Sequence, residues 1–499
     1  MPPNARGPQP VSALASALAW LDAAPIGEPL HDLSPLRHHL RAIADATMDP
    51  RKMLMLLQPF QKRADGISAA LKPLLKETTL PLVPRLRLIA QGLTDIHGLL
   101  ATATLDAAAK LTANQRIASG RRFADTCATI LRNLAEQQQV ALMVATSPAA
   151  ELWQHAQAAY LLLKMCPREQ TEASERILKG MMALAAAQPE TFVGGEIGFL
   201  IDYLRSVPMH VTIERQPEGP LDAWYWLDED RAQPPVAVTR RPPPSSGKLL
   251  YFSCTALAEV AAEHLRRLTA DETPTALGLP PSLVSDDCRL VLGRTQAHWA
   301  SPPRRRHHHR PSNYAVEICP ELDQLWDLLR EPGSANAETT PLTKWMVMNE
   351  SPGGFAMTHV SGAVSGLVSG GALGLRTSPE RPWNICLVRW ARSNDTKHIE
   401  VGLELIAPAA APVHIVRRDG TARSRLAPAL LLHSGLGHRR HETLLTYRSS
   451  AASHPFIMIT EPNGRVQLTE CQVQRPALQT ASVEVLEFMR DYSPNWNVN

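Results

Sequence analysis

The chain has 499 residues, 44% of them hydrophobic and 20% charged, which is material for about two to four domains with sizeable cores. A formal net charge of only +3 excludes a global electrostatic field for nucleic acid or membranes, so any basic site has to be local.

No apolar run approaches the roughly eighteen residues of a membrane span. The Pro-rich start of the chain, 1–10, has no charged segment followed by an apolar one. Seven cysteines, at Cys127, Cys166, Cys254, Cys288, Cys319, Cys386 and Cys471, are odd in number, scattered and never spaced Cys-x-x-Cys. These features predict a cytoplasmic protein whose thiols serve as small core residues.

In chain order, 1–11 reads as a disordered N-terminus and 12–205 as an all-α helical bundle. Apolar residues at Met53, Leu56, Leu57, Phe60, Ile67, Leu71 and Leu74 recur near the helical period. The Pro-Leu-Val-Pro segment at 81–84 interrupts the pattern and 85–110 resumes it. Ala, Leu, Gln and Arg dominate and Gly is sparse, so the apolar stripes are core. No repeat of fixed period is present, which argues against a solenoid.

Residues 206–300 read as a small mixed α/β region. Strands are expected at 209–213, 223–227 and 248–252, and a helix at 257–268. Between them, 234–247 is a Pro-rich loop.

The chemically distinctive residues follow. Arg304, Arg305 and Arg306 precede His307, His308 and His309, and Arg310 closes the run. Downstream stands Asn349-Glu350-Ser351-Pro352-Gly353-Gly354. The patterns are R-x-x-x-R and N-x-S-x-x-G. A guanidinium offers a rigid fork of donors that fits phosphate oxygens or the O6/N7 edge of guanine, so Arg306 and Arg310 can clamp one ligand. Asn349 and Ser351, two apart on an extended segment, point to the same side. Gly353 and Gly354 allow a tight turn and close approach of a flat base. Such a site needs donors, acceptors and shape, and no nucleophile.

Other chemistry finds little support. Three consecutive imidazoles at 307–309 cannot all face one metal ion on an extended chain. The glycines at 362, 366, 370, 371 and 374 lack the Gly-Lys-Ser/Thr of a phosphate loop. Gly-x-Ser-x-Gly and His-Glu-x-x-His are absent, and the basic run has no interleaved aromatics for nucleic acid. No enzyme is expected.

Downstream, 383–390 is rich in strand formers and 399–405 alternates apolar with polar or small residues, with a hairpin loop at 392–397. This order of motifs and strands resembles the PilZ domain family, bacterial receptors for cyclic di-GMP, over about 301–412. The resemblance implies an antiparallel β-barrel with cyclic di-GMP as ligand and no cofactor or metal. It implies ligand contacts from Arg305, Arg306, Arg310, Asn349, Ser351 and Gly354, with Gly402 at the family's glycine near the ligand. In the family, a basic residue just before R-x-x-x-R favours two stacked ligands; that residue here is Arg305, so a stacked dimer of cyclic di-GMP is expected.

One departure is the 38 residues separating Arg310 from Asn349 (311–348), longer than in minimal members; 322–329 within them reads as a short amphipathic helix. A β-rich C-terminal extension is expected at 413–488 and a tail at 489–499. The function implied is a bacterial signalling effector that couples cyclic di-GMP binding to an unknown protein partner through the helical module. The alternative is a PilZ-like adaptor scaffold that binds no nucleotide.

Overall fold

The computed structural model describes residues 10–23, 28–113, 121–281, 283, 285–302, 304, 307–331, 342–393, 398–417, 425–433, 442–448, 455–461 and 465–491. The chain folds as two compact units. The first comprises Met1–Thr78, Leu82–Pro189 and Gly194–Arg305; the second comprises Thr79–Pro81, Glu190–Val193 and Arg306–Asn499.

The first unit opens with eight helices: α1 (Pro10–Asp22), α2 (Pro29–Ala44), α3 (Pro50–Leu71), α4 (Pro84–Ala113), α5 (Arg121–Met143), α6 (Leu152–Leu163), α7 (Glu172–Ala186) and α8 (Gly194–Ser206). Proline at the first position of α2, α3 and α4 sets the helical φ where no N–H is needed. The Asp49 carboxylate caps α3 by accepting from the Arg51 and Lys52 amides at 3.0 and 3.3 Å. On α3, Met53, Leu57, Phe60, Ala64, Ile67 and Leu71 are buried. Leu74 departs from its expected core role and is 48% exposed, whereas Leu75 is fully buried. Here the helix tightens into a 3₁₀ turn over Lys72–Leu75 at Pro73, and three residues per turn bring Leu75 inward instead.

The same unit contains an antiparallel sheet of order β1-β4-β2-β3, with β1 (Thr212–Glu214), β2 (Trp224–Asp228), β3 (Val236–Ala237) and β4 (Leu249–Ser253), then α9 (Thr255–Thr269) and α10 (Ser285–Ala300). The Pro-rich loop thus contributes a two-residue edge strand, where flanking prolines do no harm. Buried polar contacts tie this region to the helices. Trp299 Nε1 donates to Ala183 O at 2.8 Å, and the Tyr225 hydroxyl donates to Ala186 O at 3.2 Å.

The second unit contains two closed antiparallel barrels of six strands each. The first runs β10-β7-β6-β5-β8-β9, from β5 (Arg310–Cys319), β6 (Thr343–Ser351), β7 (Gly354–Ser361), β8 (Ala372–Arg376), β9 (Asn384–Ser393) and β10 (Ile399–Ala407). The expected β-rich extension is a second barrel, ordered β11-β12-β13-β16-β15-β14. It is built from β11 (Ala410–Arg417), β12 (Arg425–Leu432), β13 (Glu442–Tyr447), β14 (Phe456–Thr460), β15 (Gln467–Gln479) and β16 (Val483–Asp491). Strand β16 runs past the expected start of the tail because Met489, Arg490 and Asp491 still pair with β15.

The amphipathic insert forms α11 (Leu322–Arg330), and its apolar face joins the barrels. Leu322, Leu325 and Trp326 pack with Ile385 and Leu387 of the first barrel and with Leu430, Leu432, Leu445, Val483 and Val485 of the second. Trp326 Nε1 donates to the buried Val413 O at 2.8 Å. A second clasp runs from Thr480 Oγ1 to Gly370 O at 2.7 Å. Gly370 has φ +81°, and a Cβ there would lie 2.8 Å from Thr480 Cβ, so a side chain is unwelcome on both counts. The described cysteines other than Cys288 are buried, and burial pushes the Cys127 and Cys319 thiols up to about 12, as suits small core residues.

Trp326 separates packing from hydrogen bonding at this joint. Trp326→Ala should cost about 3–5 kcal/mol of stability, as large-to-small core changes do. Trp326→Phe should lose about 1–3 kcal/mol, chiefly by orphaning Val413 O. Urea unfolding of both variants checks the ordering.

Candidate functional site

The N-x-S-x-x-G motif forms the β6–β7 hairpin. Asn349 and Ser351 end β6, Pro352 and Gly353 make a two-residue turn, and Ser351 pairs with Gly354. Ser351 Oγ donates to Gly354 O at 3.4 Å, which holds the hydroxyl over the turn. Gly354 is required by the barrel itself: a Cβ there would collide with Leu403 O on β10. The close approach read from the sequence is therefore that of the protein's own backbone at this position.

Strand β5 carries the arginine arm alongside this hairpin, pairing Arg310 with Glu350 and Pro311 with Asn349. Arg310 is exposed. Arg305 and Arg306 lie outside the described residues. Arg304 pairs with Asp222 within the first unit. The histidines between the arginines lie against the motif: His309 Nδ1 is 3.0 Å from Asn349 Oδ1, and a Cβ at Gly353 would lie 3.2 Å from His307 Cδ2. Glu350 is held apart from this set by the Tyr314 hydroxyl, which donates to Oε2 at 2.6 Å. Burial first, then this carboxylate, pushes the Tyr314 hydroxyl's pKa up, so it stays a donor.

Register brings in residues the sequence did not single out. Asn349 pairs with Ala356, Ala356 with Gly402, and Gly402 with Trp390, across β6, β7, β10 and β9. Directly paired residues share a face. The neighbouring row, Val347, Met357, Val401 and Ala391, is buried inside the barrel, so the Asn349 row faces out. It forms a strip floored by small residues, with a carboxamide at one end and an indole at the other. Trp390 lies across Gly402, where any Cβ would collide with its ring. Arg392 stands over that ring at 5.3 Å and pairs with Glu400, and Arg389 pairs with Glu404 at 3.4 Å. A flat, uncrowded strip beside an aromatic wall, with the exposed Arg310 at the start of β5, suits a planar, anionic ligand. Trp390 was visible in the sequence only as a strand former; the signal that would have found it is its partner Gly402.

Residues 328–412 match the family model described as the middle PilZ domain of the cyclic-di-GMP receptor FimW, and 15–218 match that of the FimW N-terminal domain. A stretch of 112 residues is 32% identical to the cyclic-di-GMP receptor FimW of Pseudomonas aeruginosa, covering 22% of this chain and 18% of that protein. Asn349, Ser351, Gly354, Trp390 and Gly402 fall inside the PilZ match, and the arginine arm lies upstream of it. A six-stranded antiparallel barrel that carries the N-x-S-x-x-G hairpin and matches this model is a PilZ domain.

Proposed function

We propose that this chain is a cyclic di-GMP receptor and bacterial signalling effector, with the nucleotide lying on the outer strip between Asn349 and Trp390. The observation that carries this reading is the register that aligns Asn349, Ala356, Gly402 and Trp390 beside the start of the Arg310 strand. The kinship with a cyclic di-GMP receptor supports it. In this reading Arg306 and Arg310 clamp phosphate or the guanine edge, Asn349 and Ser351 supply short-range hydrogen bonds, and Arg305 holds the second molecule of a stacked pair. Binding is the whole of the chemistry, with no catalytic step and no cofactor, and the cytoplasm, where the messenger acts, is the setting.

The arm lies in sequence at one boundary between the two units, which falls between Arg305 and Arg306. Ligand binding at this boundary would pass a signal to the helical unit and a protein partner held there. One observation favours the adaptor scaffold instead: His309 and His307 already lie against Asn349 and Gly353.

Calorimetric titration with cyclic di-GMP tests the reading. The wild type should bind close to two ligands per chain, falling toward one in Arg305→Leu. Arg310→Ala should weaken binding on the order of thirtyfold or more, as for loss of a charge-assisted contact, and should flatten the salt dependence. Asn349→Ala should cost less, about 0.5–1.5 kcal/mol, with the salt dependence kept. His309→Ala should tighten binding, because the ligand no longer displaces the imidazole from Asn349. A wild type that binds no cyclic di-GMP would leave the scaffold standing.

A further inference from the structure

The helical unit contains a cavity of about 430 Å³ whose wall includes Ser68, Lys72, His97, Glu136, Gly198 and Arg205. Its size falls in the range of small-molecule sites, about 300–1,000 Å³. Lys72 Nζ is bonded to Glu136 at 2.5 Å and to Gln139 Oε1 at 2.9 Å, and Arg205 reaches the other Glu136 oxygen at 3.3 Å. Two further cations on the wall, Lys76 and Arg132, have no ion-pair partner among the described residues, and both are exposed. The wall also carries Asp202, paired with Arg205, and Asp65, so its four cations face three carboxylates and a single positive charge is left over.

The floor supplies a second, independent observation. His97 is fully buried, with Nδ1 2.8 Å from Asn133 Oδ1. The orientation of that amide is fixed, because Asn133 Nδ2 donates to Thr129 O at 3.0 Å and a carbonyl can only accept. The proton is consequently on His97 Nδ1, and Nε2 is left with a bare lone pair. Burial lowers the imidazole's pKa, which keeps it neutral. Nε2 finds no partner among the described residues. His97 borders the cavity and Asn133 does not. A buried acceptor without a donor is costly and calls for a partner.

We propose that this cavity is a second ligand site, separate from the barrel, for a small organic anion bearing a hydroxyl or N–H donor. The anionic group would lie between Arg132 and Lys76, and the donor would reach His97 Nε2 at the floor. Nε2 has no open surface, so the ligand reaches it by displacing the side chains that cover it. Nucleotide binding at the barrel is neither needed for this site nor excluded by it.

The experiment uses the full chain without cyclic di-GMP and three probes that combine an anion with such a donor: glycerol 3-phosphate, malate and uridine monophosphate. Inorganic phosphate and glycerol serve as controls that carry one half of the recognition each. At millimolar concentration at least one probe should raise the melting temperature above both controls and move the ¹⁵N signal of His97 Nε2 upfield, as accepting a hydrogen bond does. Arg132→Gln and Lys76→Gln, which change only exposed side chains, should each weaken that probe about tenfold, while His97→Phe should abolish the effect. Because His97→Phe strips Asn133 of its partner and threatens the fold, the two surface variants carry the test if that protein fails to fold. No response to any probe, or a response that leaves the His97 signal and the affinities of the surface variants unchanged, overturns the proposal.

Discussion

The second unit depends on one side chain that serves two barrels at once. Trp326 sits on a helix inserted between the first two strands of the PilZ barrel, yet its indole N–H is spent on the first strand of the next barrel. Its ring lies in an apolar cluster drawn from both barrels. Burial of a large side chain is worth about 1.5–3 kcal/mol, and here neither barrel would obtain it alone. The side of the PilZ barrel under α11 and its link to the next barrel are thus one packing problem, and the outer strip stays free of it.

That freedom is bounded by glycine. At Gly354 the β7 backbone comes so close to Leu403 that no side chain fits, and at Gly402 the same holds against Trp390. The two exclusions differ in what they do. The first closes the barrel beneath the hairpin; the second lays an indole flat and keeps the neighbouring surface low. Together with Ala356 they leave a smooth strip between hydrogen-bonding groups, a shape that strands of ordinary composition would fill with side chains.

The sequence made the local features legible because their causes are local. The hairpin could be read from Asn349 to Gly354 since turn residues declare themselves, and β10 from the alternation of Ile399, Val401 and Leu403. The helical stripe on α3 was legible as far as Leu71 and failed at Leu74, where a 3₁₀ turn shifted the phase. Closure of the C-terminal strands into a second barrel was not legible, because it depends on pairings such as β13 with β16, some forty residues apart, which no period encodes. Helix α10 escaped notice since its buried Val291, Leu292, Thr295 and Trp299 mix with Arg, Gln and His. Trp390 became a site residue only through register, which a single strand cannot reveal.

The shared joint has a consequence for how such proteins can vary. The stretch between Arg310 and Asn349 looks like a tolerated loop insertion, and the C-terminal barrel looks like an appended module. Since α11 is the surface on which the two meet, neither can be exchanged by itself. A shuffled protein that kept the insert and lost the last barrel would present Trp326 and Leu325 to water. One that kept the last barrel with a minimal PilZ domain would bare Leu430, Leu432 and Val485. Exposed apolar surface of that kind invites aggregation. The insert and the terminal barrel are therefore a single inheritable piece split in the chain by the strands of the receptor itself.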